Sequence, residues 1–249
     1  MFYFLISLIL VLSFIFSMLG LGGAMVYNPI MVWFGYDFKE VVVPIGLLLN
    51  GLTAASAAWV YYRRKMIDFS VALPIVITSA LGAPLGAYVT QLISTNWLLW
   101  LFSISVLFAG GRMILGTGSA EPEQIRGTHT QRAIWGAMLG FGIGIIAGLL
   151  GIGGGFLIVP LLMMMGYPTK TAAATSAFTV VFSSVTGFLG HLAVGHYNWK
   201  LMVFAAIAVI IGSQVGARIM HNNMRPRTLK IIFGTVLLFI AGKMIWSLL

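Results

Sequence analysis

Gly151-Ile152-Gly153-Gly154-Gly155-Phe156-Leu157-Ile158-Val159-Pro160 interrupts one long apolar run, and Gly20-Leu21-Gly22-Gly23-Ala24-Met25-Val26-Tyr27-Asn28-Pro29 interrupts another, 131 residues earlier. Glycine clusters followed by a proline break helices. In hydrocarbon a broken helix bares N–H and C=O groups that need partners, so breaks persist where protein covers them or where they line a site. Two breaks at matching places in two related halves point to a transporter's substrate site.

The chain around them is 249 residues long, 60% hydrophobic and 8% charged. A soluble domain carries about 25% charged residues. Long segments are apolar on every face, without the period-two alternation of a membrane barrel. The fold class expected is an all-α polytopic membrane protein. The net charge of +9 falls largely in short loops and at segment ends, as orientation by positive charge requires, with attraction of an anionic substrate as a further reading. Nucleic acid is not implied. There is no cysteine, which excludes disulfides and thiolate metal sites. The run 1–18 lacks a basic start and a small-residue cleavage site, and reads as a retained first helix.

Membrane segments are expected at 1–18, 24–34, 41–62, 70–92 and 97–116, then at 132–150, 156–166, 172–192, 199–220 and 227–248. Counting each broken stretch once gives eight, four per half. The polar stretch 117–131 reads as a linker between a first half, 1–116, and a second, 132–249, which together form one transmembrane domain. Gly-x-Gly-Gly-x5-Pro-x5-Gly-Tyr occurs twice, ending at Tyr36 and Tyr167. Gly82 and Gly86 match Gly212 and Gly216, and Gly111-Arg112-Met113-Ile114 matches Gly242-Lys243-Met244-Ile245. These matches imply duplication. Arg63-Arg64-Lys65 has no counterpart at the matching place in the second half, which instead carries Arg218, Arg225, Arg227 and Lys230 one loop later. Inverted halves would show that swap. Inversion needs an odd number of crossings per half. Eleven residues reach only about 16 Å, so the pieces 24–34 and 156–166 are candidates to re-enter without crossing. Inverted and parallel repeats both stay open at this point.

All five carboxylates, Asp37, Glu40, Asp68, Glu121 and Glu123, lie in loops. A cation carrier usually keeps an acid inside the membrane, so an anion is the better cargo. Helix N-termini bind anions through free N–H groups. Gly22 and Gly23, and Gly153, Gly154 and Gly155, are therefore the first substrate-binding candidates, with Gly20, Pro29, Gly151 and Pro160 making the breaks. Asn28, Asn50, Thr53, Thr175, Ser176, Thr179 and Gln214 offer neutral donors inside apolar segments, although Ser and Thr often bond back to their own helix. Ser183 and Ser184 lie on the same segment as Thr175. His191 and Arg218 are candidate proton or anion partners. No metal spacing and no cofactor motif are present.

The run Gly151 to Pro160, then Gly166, then Ala172-Ala173-Ala174-Thr175-Ser176, resembles the TauE/SafE family of membrane transporters over essentially the whole chain. That resemblance implies a carrier in a bacterial or archaeal inner membrane for sulfite, sulfonates, sulfoacetate or related anions, with export known among its members. Two departures stand out. Ala24 replaces the glycine that Gly155 supplies, and Val43-Pro44-Ile45 stands in place of Ala174-Thr175-Ser176. Lacking cysteine, the chain also differs from proteins that move thiosulfate through cysteines. A secondary carrier working by alternating access at the membrane midplane is expected. A passive anion channel is the alternative, and a membrane enzyme a lesser one, since no nucleophile elbow, zinc motif or acid pair is seen. The expected partners are the small anionic substrate and membrane lipid, with monomer and homodimer both open.

Overall fold

The computed structural model describes residues 2–17, 22–116, 125–192, 199–223 and 226–249, with the side chains of 217, 219–223, 226, 228–230, 232 and 233 left out. Gly20, Glu121, Glu123, His196 and Arg225 therefore lie outside the described residues. Ten α-helices follow one another: α1 (Phe2–Ser17), α2 (Ala24–Trp33), α3 (Val43–Arg63), α4 (Phe69–Leu92), α5 (Thr95–Leu115), α6 (His129–Leu150), α7 (Gly155–Met164), α8 (Thr169–Leu192), α9 (Trp199–Asn223) and α10 (Pro226–Leu248). No strand occurs among the described residues. Six helices, α3 to α6, α8 and α9, are long and apolar enough to cross a membrane.

Local chemistry sets the helix ends. Thr128 and Gln131 form a reciprocal capping box, so α6 begins at His129, inside the stretch expected to be linker. Asp68 accepts from the Ser70 N–H at the start of α4. Asp37 accepts from the Glu40 N–H and opens a π-helical turn, Phe38–Val42, that leads into α3.

Helix directions follow from the contacts. Phe4 of α1 stacks on Phe34, just beyond α2, at 6.3 Å between ring centroids. Gly46 of α3 lies against Asn28 and Gly22 against Asn50. So α2 turns back along α1, and α3 turns back along α2. In the second half, Arg132 of α6 meets Tyr167, beyond α7, while Ser183 and Ser176 of α8 bond Gly153 and Gly155. Again the short helix runs back between two parallel long ones. Gly51 packs on Ser184 and Leu47 on Gly187, so α3 and α8 are antiparallel. The two glycine-tipped hairpins, α1–α2 and α6–α7, thus enter the helix layer from opposite faces.

Small residues bring the long helices together. Along α6, Gly136, Gly140, Gly144 and Gly148 meet Ile75, Thr78, Ser79 and Ala83 of α4 in parallel register, and Gly82 and Gly86 of α4 meet the α6 backbone in return. Gly212 and Gly216 of α9 press on Leu10, Ser13 and Phe14 of α1 in the same manner. Such contacts give close van der Waals packing where lipid offers no hydrophobic driving force.

Nine basic residues lie at one face, where α3, α5 and α9 end and α4, α6, α8 and α10 begin: Arg63, Arg64, Lys65, Arg112, Arg126, Arg132, Lys170, Arg218 and Arg227. Lys39, Lys200 and Lys243 lie at the other.

A Cβ at Gly148 would collide with the Ala83 carbonyl oxygen, whereas one at Gly142 meets nothing within 4 Å. Gly148→Val is expected to cost on the order of 3 kcal/mol and to abolish the monodisperse peak in size-exclusion chromatography. Gly142→Ala on the same helix should leave both the peak and the thermal midpoint unchanged. Equal behaviour of the two variants would contradict the α4–α6 contact.

Candidate functional site

Both hairpin tips meet at one side chain. Asn50, fully buried in the first half of α3, accepts from the Ala24 N–H through Oδ1 at 3.1 Å and donates from Nδ2 to Ser184 Oγ at 3.0 Å. Gly22 abuts its Oδ1, and Gly153 abuts its Nδ2 together with Ser184 Oγ. Gly22, Gly153 and Gly154 have φ of +73°, +66° and +78°, a region that glycine enters without a Cβ penalty. Any side chain at Gly153 would also displace Asn50.

Most carbonyl groups of the second break have donors. The Asn28 amide donates to Leu150 O and Gly151 O at 3.3 and 3.1 Å. Thr90 donates to Leu149 O, Ser183 to Gly153 O, and Ser176 to Gly155 O. His191 bonds Gly148 O through Nε2 at 3.0 Å. A carbonyl only accepts, so Nε2 carries the proton. Tyr61 does the corresponding work at the first break, donating to Ser17 O at 3.1 Å.

The amide groups are not covered. The N–H groups of Gly153, Gly154, Gly155 and Phe156 have no acceptor among the described residues. They lie in a row at the N-terminus of α7, where the helix dipole is positive. A buried unpaired N–H costs about 1–3 kcal/mol, so four together mark the place where an outside acceptor is most strongly favoured. Asn28 Oδ1 is the other unmatched polar atom nearby.

The structure thus brings together Gly22, Asn28, Asn50, Gly153, Gly154, Gly155 and Ser176, with Gly23 and Gly151 forming the adjoining turns. Thr53 is one step removed: its hydroxyl bonds Leu49 O and lies 3.3 Å from Tyr27 OH. Pro29 and Pro160 sit inside the short helices α2 and α7. Other candidates lie elsewhere. Thr179 bonds back to Thr175 O, and the Thr175 hydroxyl accepts from the Asp68 N–H. Gln214 is half-buried on α9 and Arg218 is exposed near its end. His191 caps α6. Ser184, Thr90, Tyr27 and Tyr61 join the site or its support without having been picked out among many similar residues.

A second cluster ties the basic face. Asp68, between α3 and α4, receives hydrogen bonds from Ser70 and Tyr167. Arg132 donates to Tyr167 Oη at 2.9 Å. Partial burial pushes the Asp68 carboxyl upward, but Ser70, Tyr167 and the Arg132 charge outweigh it and hold it below the ordinary carboxylate range. Burial and the facing carboxylate push the Tyr167 phenol up. The cluster pins the feet of the α6–α7 hairpin to the α3–α4 turn.

Comparison with known proteins agrees with this architecture. A family model described as "Sulfite exporter TauE/SafE" matches residues 5–244. A probable membrane transporter protein of Bacillus subtilis, YunE, is 29% identical, covering 93% of this chain and 92% of the relative. A probable membrane transporter protein of Methanocaldococcus jannaschii is 25% identical over 94% of this chain and 92% of its own length. A "Sulfite exporter TauE/SafE family protein 6" of Arabidopsis thaliana is 27% identical over 51% of this chain and 29% of the relative. No solved structure matches the chain.

The Asp68 carboxyl is held low when folded, so its stabilising effect is present above the unfolded value, about 3.9, and is lost as pH falls through the folded value. The thermal midpoint of the wild type should therefore exceed that of Asp68→Asn by a constant margin from pH 8 to pH 5. The margin should vanish only in stronger acid. A margin that disappears already near pH 6 would show that the carboxylate does not hold the cluster.

Proposed function

The chain belongs to the sulfite exporter TauE/SafE family of membrane transporters, and we propose that it carries small sulfur-containing anions such as sulfite or a sulfonate outward, by alternating access around the two hairpin tips. The row of four acceptor-less N–H groups at Gly153 to Phe156 carries this reading. Oxyanion oxygens match that row, and the Asn50 amide and Ser184 hydroxyl stand beside it. The carbonyl groups of Leu149, Leu150, Gly151, Gly153 and Gly155, which would attract a cation, are already occupied by side-chain donors. Neutral donors hold an anion without the tight charge pairing that would trap it.

The helix directions support a further step. With each hairpin counted as entering and returning, each half has three crossings, α3 to α5 and α8 to α10. An odd number gives inverted duplicated halves, the arrangement in which one half rocks against the other about a central site. The face with nine of the described basic residues is then the cytoplasmic one of a bacterial or archaeal inner membrane. An inside-negative potential drives an anion outward by ~2.3 kcal/mol per charge per 100 mV. Export of a divalent anion thus needs no coupled ion. His191 is engaged in capping α6, so proton coupling has no free candidate there.

The test is flux from proteoliposomes loaded with sulfite, sulfate, thiosulfate, taurine or sulfoacetate. Gly153→Val should abolish flux of the preferred anion. Asn50→Asp keeps the side-chain shape and places a carboxylate at the site, so it should also abolish flux while inserting and eluting like the wild type. Gly111→Ala, where a Cβ meets nothing within 4 Å, serves as control. Wild-type flux in Asn50→Asp would rule out the site. Saturable flux supports the carrier; resolvable single openings would replace it by a channel.

A further inference from the structure

Away from the hairpin tips, a groove of about 640 Å³ runs between α5, α6 and α7. Phe108, Ile146, Leu157 and Met164 contribute to its walls, Gly142 lies in its floor, and Arg112 is the one charged residue that lines it. Gly142 and Ile146 belong to the middle of α6, whereas Arg112 sits in the last turn of α5 at the basic face. The groove therefore leads from the bilayer interior to the headgroup level and ends on a guanidinium.

Its lining faces hydrocarbon: Phe108, Met138 and Met164 are all more than half exposed. An apolar groove left empty there forfeits dispersion contacts along its walls. An acyl chain recovers them. At its upper end Arg112 offers planar, bidentate donors suited to phosphate. Basic pockets between membrane helices on the cytoplasmic side are suited to anionic headgroups. The corresponding place in the first half is filled. At the repeat spacing Lys243 stands for Arg112 and Trp33 for Met164, and Lys243 Nζ lies 3.8 Å from the Trp33 ring centroid. The indole lies under that cation, where the second half has a flexible methionine and open space.

We propose that this groove holds one anionic phospholipid from the leaflet at the basic face, with an acyl chain along Phe108, Ile146 and Leu157 and the phosphate on Arg112. Lipid contact, unlike the anion site, concerns only one of the two hairpins. The inference rests on the chain lying in a bilayer and is independent of which anion is carried.

The test compares the full-length wild type, Arg112→Gln, Arg112→Lys and Gly142→Phe in nanodiscs of equal parts phosphatidylglycerol and phosphatidylcholine, with retained lipid read by native mass spectrometry after release. A Cβ at Gly142 meets nothing within 4 Å, so the added ring fills the groove without displacing a helix, and an unchanged thermal midpoint verifies this. The wild type should retain one phosphatidylglycerol per chain. Arg112→Gln should lower the preference for phosphatidylglycerol about tenfold, the equivalent of 1.4 kcal/mol, and Arg112→Lys should restore most of it. Gly142→Phe should retain neither lipid. Equal retention by all four proteins overturns the proposal, as does retention without headgroup preference in the wild type. A dimer that Gly142→Phe converts to a monomer, with lipid unchanged, would show instead that a second copy covers the groove.

Discussion

A helix that breaks inside hydrocarbon leaves backbone groups that water cannot satisfy, and the α6–α7 break organises the protein around that demand. Its carbonyl oxygens draw donors from three other helices: Asn28 from α2, Thr90 from α4, and Ser176, Ser183 and His191 from α8. Each of these side chains is buried, and each helix that supplies one is thereby fixed in register against the tip. The N–H groups of Gly153 to Phe156 have no acceptor among the described residues, beside the place where Asn50 and Ser184 meet. The described carboxylates and guanidiniums stay in loops and at helix ends, away from this break.

Closeness is the second requirement, and glycine supplies it in two ways. On α6 and α4 it removes side chains so that backbones touch, as at Gly148 against Ala83 and Gly86 against Ile145. At Gly153 and Gly154 it permits positive φ, so that the chain reverses between α6 and α7. A rigid α4–α6 pair beside a sharply reversed tip gives a fixed wall from which the α7 amides project. The first hairpin meets the second through Asn28 and Asn50, both polar side chains of the first half that reach second-half backbone or side chains.

Much of this was legible before any coordinates. Glycine clusters and prolines are punctuation that survives without tertiary context, so the breaks, the short helices and most segment bounds could be read directly. Asn28 and Asn50 were recognisable because an amide in hydrocarbon has to bond something. The hydroxyls were not separable in that way. Thr175, Thr179, Ser183 and Ser184 have the same composition and spacing, yet Thr179 bonds its own helix, Thr175 serves the Asp68 turn, and only Ser183 and Ser184 face the tip. Which neighbour each hydroxyl of α8 meets depends on the helix's rotation about its own axis and on what packs against it, which the hydroxyls themselves do not encode. His191 was ambiguous for a related reason: its partner is a carbonyl 43 residues away. The direction of the hairpins was also hidden, because a ten-residue helix is equally compatible with crossing and with turning back until its neighbours are known.

The two copies of the repeat have diverged in a way that makes the faces unequal. At the basic face Asp68, Tyr167 and Arg132 join the α3–α4 turn to the feet of the second hairpin. At the repeat spacing Tyr36 stands for Tyr167, but Trp199 stands for Asp68, and the nearby Asp37 instead caps the turn that leads into α3. At the opposite face the first hairpin is held by Phe4 on Phe34 and by Lys243 over Trp33. Separating the first set exposes a carboxylate and a guanidinium that water readily hydrates; separating the second exposes aromatic surface that it does not. The two hairpins are thus held at their feet by different side chains, a carboxylate–phenol–guanidinium chain at the basic face and aromatic contacts at the other.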